Sequence, residues 1–142
     1  MFLYIFSLIL AVLGLTLYHI TQKSVAPNAH PIISILATYV SAFVATLFLL
    51  PFFPAKEGII QAVKNLNWAS YAVGIVVVAA EIGFLLAYRS GWNISLLSTI
   101  ANLLVTLVLL PLGLLVFHEK LNSYQIFGLI LSILGFILLN KK

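Results

Sequence analysis

WASYAVGIVVVAAEIGFLLAY, residues 68–88, is an apolar stretch that holds one charged residue, Glu81. A helix needs about 20 residues to cross a hydrocarbon core of roughly 30 Å, so this stretch predicts a transmembrane helix. A carboxylate at that depth costs several kcal/mol unless it is paired, hydrated or protonated. We therefore treat Glu81 as a candidate functional residue, and a carboxylate inside a span indicates transport.

The composition of the chain is that of a membrane protein. Its 142 residues are 63% hydrophobic and 7% charged, whereas about 25% of the residues in a soluble domain are charged. The mean hydropathy is +1.21. The sequence lacks the alternating pattern of a membrane barrel, so the spans are expected to be helices. The predicted fold is all-α with five transmembrane helices, at residues 2–20, 32–53, 68–88, 94–117 and 124–139.

The whole chain, residues 1–142, is expected to form one membrane domain. The first run lacks the basic start and the cleavage site of a signal peptide, so we expect it to be the first span. The fifth run is short, and bilayer thinning or snorkelling of Asn140, Lys141 and Lys142 would let it cross. Segment 55–67 has apolar residues at helical spacing, which predicts a short interfacial helix. The sequence has no cysteine, and no loop is long enough for a catalytic domain.

Basic residues are divided almost evenly between the two membrane faces. Lys56, Lys64 and Lys120 fall on the face of the N-terminus, and Lys23, Arg89, Lys141 and Lys142 fall on the opposite face. The positive-inside rule therefore gives a small preference for a cytoplasmic C-terminus. One fixed orientation and insertion in both orientations stay open. The net charge of +4 suits a phospholipid surface better than nucleic acid.

Three segments carry a family pattern: AYRSGWNISLLS from Ala87, LLPLGLLVFHEKLN from Leu109 and QIFGLILSILGFILLN from Gln125. A span that ends in proline, a Glu-x-Leu turn and a last span with Gly-x6-Gly resemble the drug/metabolite transporter superfamily. The chain is most similar to the EamA-like branch, whose repeat unit has five helices. The last two spans also resemble the small multidrug resistance family. The resemblance covers the whole chain as one five-helix repeat.

The chain differs from both families in the position of its intramembrane glutamate or in its number of helices and repeats. Small multidrug resistance proteins have four helices and carry their essential glutamate in the first one, whereas Glu81 lies in the third span here. EamA-like proteins contain two repeats, so the resemblance implies that two copies pair, each as one half of an inverted-repeat bundle. Substrate would then lie at the interface between the repeats. The balanced charges allow an antiparallel homodimer, and pairing with a second half-size chain stays open.

Small and polar residues recur at three- and four-residue spacing along the spans. On the third span the shared face holds Ser70, Gly74, Val77, Glu81, Leu85 and Tyr88. With the stripes of the other spans it predicts a central cavity, whose substrate- or proton-binding residues are Glu81, Tyr88, Asn102, Tyr18, Trp92, Ser98 and Thr99. The alternative is that the stripes are packing seams, with Asn102 in a helix–helix hydrogen bond. Tyr88 and Trp92 would then belong to the interfacial belt of aromatic residues.

Three kinds of partner are open for Glu81: a neighbouring hydroxyl, an amide, or Arg89. Arg89 lies eight residues further on, about 12 Å along a helix axis, so it would have to reach back or pair across chains. Desolvation favours the neutral form of a carboxyl group, and an arginine partner favours the charged form. A carboxyl group without an arginine partner can carry a proton or bind a cationic substrate.

Two further features of the last spans have dynamic or packing interpretations. Pro111 removes the backbone hydrogen bond to the Leu107 carbonyl, so it predicts a kink that is either a hinge for alternating access or a fixed bend. Gly128, Ser132 and Gly135 form a small-residue face on the fifth span, which predicts a helix-packing or dimer seam.

The sequence therefore predicts a half-size secondary transporter of small organic metabolites or drug-like solutes, coupled to protons through Glu81. We expect no enzyme activity and no cofactor. We also expect no metal site, since His19, His30 and His118 lack ligand spacing and are expected to be solvated. The expected partners are the lipid bilayer, the solute, protons and a second copy. The expected location is a bacterial or archaeal cell (inner) membrane. A passive facilitator, a glycolipid flippase and a non-transporting membrane subunit stay open as alternatives.

Overall fold

The computed structural model describes residues 2–139, and every regular element in that range is a helix. The elements are α1 (Phe2–Ser24), α2 (Pro31–Leu49), a 3-10 turn (Leu50–Phe52), α3 (Ile59–Lys64), α4 (Trp68–Arg89), α5 (Ile94–Leu115) and α6 (Ser123–Leu139). The prediction of an all-α fold is confirmed. The expected snorkelling residues Asn140, Lys141 and Lys142 lie outside the described residues.

Four of the helical segments are long and apolar enough to cross a bilayer. They are α1, the combined segment Pro31–Phe52, α4 and α5. The apolar part of α6, Ser123–Leu138, is shorter, as the sequence predicted for the fifth run. The short helix α3 lies within the segment that was expected to form an interfacial helix.

The ends of the helices follow from local chemistry. The Asn67 side chain caps α4, because its oxygen accepts hydrogen bonds from the backbone nitrogens of Ala69, at 3.1 Å, and Ser70, at 3.3 Å. Helix α1 continues to Ser24, past the end of the apolar run at residue 20. This extension carries polar side chains on the last turn of α1. Helix α5 continues through Pro111.

The described residues form two compact units, which divide between Gly91 and Trp92. In the first unit, α4 packs against both α1 and α2. In the second unit, α5 packs against α6. The first unit therefore places α4, with its carboxylate, between two neighbouring helices.

Buried side chains of the first unit lie where α4 meets its neighbours. The buried apolar residues are Ile35, Leu85 and Tyr88, and the buried polar ones are His19, Gln22 and Glu81. Most of the large apolar side chains are exposed instead. Such a surface would be a liability in water, but lipid tails are as apolar as leucine, so it suits a helix bundle in a bilayer. The first unit thus buries polar as well as apolar groups between its helices and leaves most of its large apolar side chains on the outside.

Candidate functional site

Glu81 is buried in α4, and the side chain that holds it comes from α1. The Gln22 Nε2 atom donates a hydrogen bond to Glu81 Oε2 at 2.9 Å and another to the Glu81 main-chain oxygen at 3.2 Å. The two residues are only 8% and 6% exposed. An amide nitrogen has two N–H donors, so both donors of Gln22 are directed at Glu81. Of the three kinds of partner that the sequence left open, the structure shows the amide.

Arg89 makes different contacts. Its Nη2 atom donates to the Ala26 carbonyl at 3.3 Å and to the Ala29 carbonyl at 2.8 Å. Both carbonyls belong to the loop between α1 and α2, so the guanidinium group holds that loop against the end of α4.

The amide of Gln22 carries no charge, so it orients the Glu81 carboxylate without neutralising it. A carboxylate held in this way can still take up a proton or a cation.

A second buried hydrogen bond joins α1 and α4 one turn further along. The Tyr88 hydroxyl lies 2.9 Å from His19 Nδ1, and the tautomer of the ring decides which atom donates. The expectation that His19 is solvated is wrong, because α1 continues past it and carries its ring into the contact with α4. Tyr88 is likewise buried rather than exposed in an interfacial belt. Within residues 2–139, no three histidine or acidic side chains are grouped to hold a metal.

Aromatic rings pack beside the hydrogen bond between His19 and Tyr88. The Phe84 ring lies edge-on to Tyr18 at 5.9 Å and to His19 at 5.1 Å, and it stacks with Tyr88 at 6.4 Å between centroids. From α2, the buried Tyr39 hydroxyl has no hydrogen-bond partner among the described residues. The Glu81 carboxylate lies close enough to act electrostatically on the hydroxyls of Tyr18 and Tyr39. The structure therefore brings three of the predicted residues, Tyr18, Glu81 and Tyr88, into one cluster. Its other members are His19, Gln22 and Tyr39, and we call it the polar cluster.

The α4 stripe predicted from the sequence is divided into two halves. Towards the C-terminal end of α4, Glu81, Leu85 and Tyr88 are buried, as a face that looks into protein should be. Towards the N-terminal end, Ser70 and Gly74 are exposed. The polar cluster thus lies in the half of α4 that ends at Arg89.

The other predicted binding residues lie in the second unit. Trp92 precedes α5, which carries Ser98, Thr99 and Asn102. The Ser98 hydroxyl donates to the Ser95 carbonyl at 3.2 Å, within its own helix. Asn102 and Thr99 are exposed. The role of these four residues in binding stays a prediction.

A groove of about 530 Å³ lies between α5 and α6. Gly128 and Ser132 of the predicted seam line it, together with the carboxylate-bearing Glu119. A Cβ atom added to Gly128 or Gly135 would meet no atom within 4 Å beyond the neighbouring backbone of its own helix. Packing within the described chain therefore does not require glycine at either position. The dimer role of this face, and the hinge role of Pro111, stay predictions.

The comparison with protein families decides what kind of protein carries this cluster. The model of the EamA-like transporter family matches residues 2–141. The chain belongs to the EamA-like transporter family. No curated protein and no solved structure matches it. The resemblance stated from the sequence is thereby confirmed, and the apolar helices make this EamA-like protein an integral membrane protein of the drug/metabolite transporter type.

Three residues of the polar cluster in this EamA-like protein were missed by the sequence analysis: His19, Gln22 and Tyr39. The signal for Gln22 was present, since it lies four residues after Tyr18 and therefore on the same face of a helix. It fell outside the apolar run that was taken as the first span. Tyr39 gave no comparable signal, because its partner face on α4 becomes visible only once α2 and α4 are packed together.

Proposed function

We propose that this EamA-like chain is half of a secondary transporter, which works as a dimer by alternating access in a bacterial or archaeal inner membrane. It moves a small organic metabolite or drug-like solute, and Glu81 binds the protons that drive it. Family membership supports transport of the drug/metabolite type. The observation that carries the rest is the buried Glu81 carboxylate, held by a neutral amide between two apolar helices.

The chemistry of that contact supports proton coupling. A buried carboxylate with an arginine partner stays charged, because losing the partner's field is costly. Glu81 instead accepts its hydrogen bond from Gln22, so protonation removes a buried charge without stranding a cation. Ionisable residues inside membrane helices mark ion and substrate pathways for this reason. The proton and a cationic group of the solute would compete for the same carboxylate.

The dimer part of the proposal rests on the architecture of the family and on the free surface of α6. Transporters built from inverted repeats place their substrate where two repeats meet. One five-helix repeat needs a second to complete such a site. The glycines of α6 leave open space beside the helix, and small residues allow close helix–helix approach in membranes.

The experiment is a measurement of proton uptake in proteoliposomes while a panel of amines, amino acids and drug cations is applied. Wild type, Glu81→Gln and Glu57→Gln are compared. Glutamine at position 81 keeps an oxygen that can accept from Gln22, so the packing survives while the titratable group is lost. Glu57 is exposed and lies in a loop, so its substitution is the matched control.

A solute-evoked proton signal that is lost in Glu81→Gln and kept in Glu57→Gln would support the proposal and identify the solute class. Solute flux that persists in Glu81→Gln without proton movement would favour a passive facilitator. Transfer of a labelled glycolipid would favour a flippase. If folded protein moves none of these, the chain would be a membrane subunit that packs against a partner.

A further inference from the structure

A small cavity lies beside the cluster, where α1 and α4 end on the same side of the first unit. Its volume is about 150 Å³, and it is lined by the polar side chains of Gln22, Lys23 and Arg89, by Tyr88, and by apolar groups of Val25, Pro27 and Leu85. Two of these side chains are cationic, and none of the described lining residues is acidic. The lining is therefore positively charged at the point where two transmembrane helices leave the apolar region.

Arg89 is held in a fixed position at this cavity. Its Nη2 atom is bonded to the carbonyls of Ala26 and Ala29. Its Nε atom is buried and has no hydrogen-bond partner in the part of the chain that the structure describes. Such a donor can be satisfied by a bound water molecule or ion. Because both donors of Nη2 are bonded to carbonyls, the Nε–H and the Nη1 donors are left for an acceptor, and phosphate oxygens accept strongly from a guanidinium group.

Lys23 adds a second positive charge from α1. Its Nζ atom donates to the Tyr88 carbonyl at 3.3 Å and lies 5.5 Å from the centre of the Tyr88 ring. These contacts place the ammonium group between the end of α1 and the end of α4. An anion in the cavity would therefore meet a charge from each helix.

We propose that this cavity binds a phosphate group, carried either by a lipid headgroup or by a free phosphorylated solute. The cavity volume of about 150 Å³ is sufficient for a phosphate group, since it is roughly ten times the space of about 10–15 Å³ that one water molecule needs. The location is suitable, because basic residues next to transmembrane helices attract the anionic groups of the membrane surface. The bound phosphate lies one side chain away from Glu81, because Gln22 both lines the cavity and holds the carboxylate.

This site does not depend on proton coupling at Glu81, so the test uses binding rather than transport. The full chain is kept in maltoside micelles, which contain no phosphate, and its melting temperature is followed. One arm adds inorganic phosphate against chloride at constant ionic strength. The other arm adds phosphatidic acid to the micelles. The variants are Arg89→Gln, Lys23→Gln and the control Lys64→Gln, whose lysine lies on the exposed helix α3.

We expect a saturable rise in melting temperature in wild type and in Lys64→Gln. In Arg89→Gln and in Lys23→Gln the half-saturating concentration should rise about tenfold, because each variant loses one charged hydrogen bond to the phosphate group. A response to inorganic phosphate assigns the site to free phosphate groups, and a response to phosphatidic acid alone assigns it to lipid headgroups. Absence of saturation in both arms would overturn the proposal, and so would equal responses in Lys64→Gln and Lys23→Gln. Lys23→Gln keeps the test decisive if Arg89→Gln does not fold.

Discussion

Replacing Gln22 with leucine should weaken the contact between α1 and α4 through the loss of two hydrogen bonds. Leucine keeps most of the side-chain volume but removes the amide that donates to the Glu81 carboxylate and to its main-chain oxygen. The change leaves a buried carboxylate without that donor, which is a costly state in an apolar environment. The expected result is a lower free energy of unfolding and a disturbed position of Glu81.

The size of the effect follows from the two bonds. A hydrogen bond to a charged group contributes about 1.5–3 kcal/mol in soluble proteins, and a neutral one about 0.5–1.5 kcal/mol. Measured couplings between membrane helices are smaller, averaging about 0.6 kcal/mol with a maximum of about 1.7 kcal/mol. The Gln22–Glu81 pair combines a charged bond with a neutral one, so it should lie near the upper end of that range. We expect a coupling energy of about 1.5 kcal/mol.

The assay is a double-mutant cycle on the free energy of unfolding in bicelles. Gln22→Leu and Glu81→Leu are measured singly and together, so that the burial cost of the Glu81 charge cancels from the coupling energy. Gln61→Leu combined with Glu81→Leu is the control, because Gln61 is exposed on α3. Distant pairs add within about 0.5 kcal/mol. A Gln22–Glu81 coupling below that value would refute the argument that Gln22 holds the carboxylate.

Three further changes test other parts of the molecule. Tyr88→Phe should lower the free energy of unfolding by about 1 kcal/mol, because it deletes the hydroxyl bonded to His19 and keeps the ring. Gly128→Leu together with Gly135→Leu should reduce the dimer fraction in chemical cross-linking, and an unaltered dimer would place the interface elsewhere. Pro111→Ala restores a backbone hydrogen bond in α5 and should slow solute flux in proteoliposomes without unfolding the protein; unchanged flux would make the proline a fixed bend.

The first two of these tests have internal controls. Tyr124 is 89% exposed, so Tyr124→Phe should leave the free energy of unfolding unchanged. If it costs as much as Tyr88→Phe, the loss at Tyr88 does not come from the His19 bond. Gly14→Leu adds the same bulk to α1, where an added Cβ also meets open space. A dimer that is lost equally in Gly14→Leu would show that the effect is not specific to α6.

The helices and the buried carboxylate were predictable because both follow from local sequence. Long apolar runs have one stable structure in lipid, since every backbone group must be bonded within its own helix. Glu81 stood out because a charge inside such a run is rare. Each of the five apolar runs overlaps a long helix of the structure, although the bounds differ. Local sequence therefore accounts for the elements and for one residue of the cluster.

The partners of Glu81 were less predictable, because they depend on which helix faces meet. Hydropathy ends α1 near Ile20, where polar residues begin, although the helix continues to Ser24. Backbone hydrogen bonding does not stop at the edge of an apolar run, so the last turn carries Gln22 into the protein interior. His19 was expected to be solvated for the same reason. Which of several polar side chains meets a buried carboxylate is a property of packing rather than of composition.

The proposed mechanism requires a contact between α1 and α4 that is strong enough to define a conformation and weak enough to be broken during transport. We expect the buried hydrogen bonds of this contact to contribute about 1.5 kcal/mol for Gln22–Glu81 and about 1 kcal/mol for His19–Tyr88, within the range measured between membrane helices. Alternative conformations of one protein typically differ by a few kcal/mol. Under the proposal, protonation of Glu81 would turn the charged bond to Gln22 into a neutral one, and a bound cation would compete with that bond, so each would weaken the contact by a comparable amount. Under the proposed mechanism, the polar cluster therefore lies in the energy range where one proton would shift the balance between two arrangements of α1 and α4.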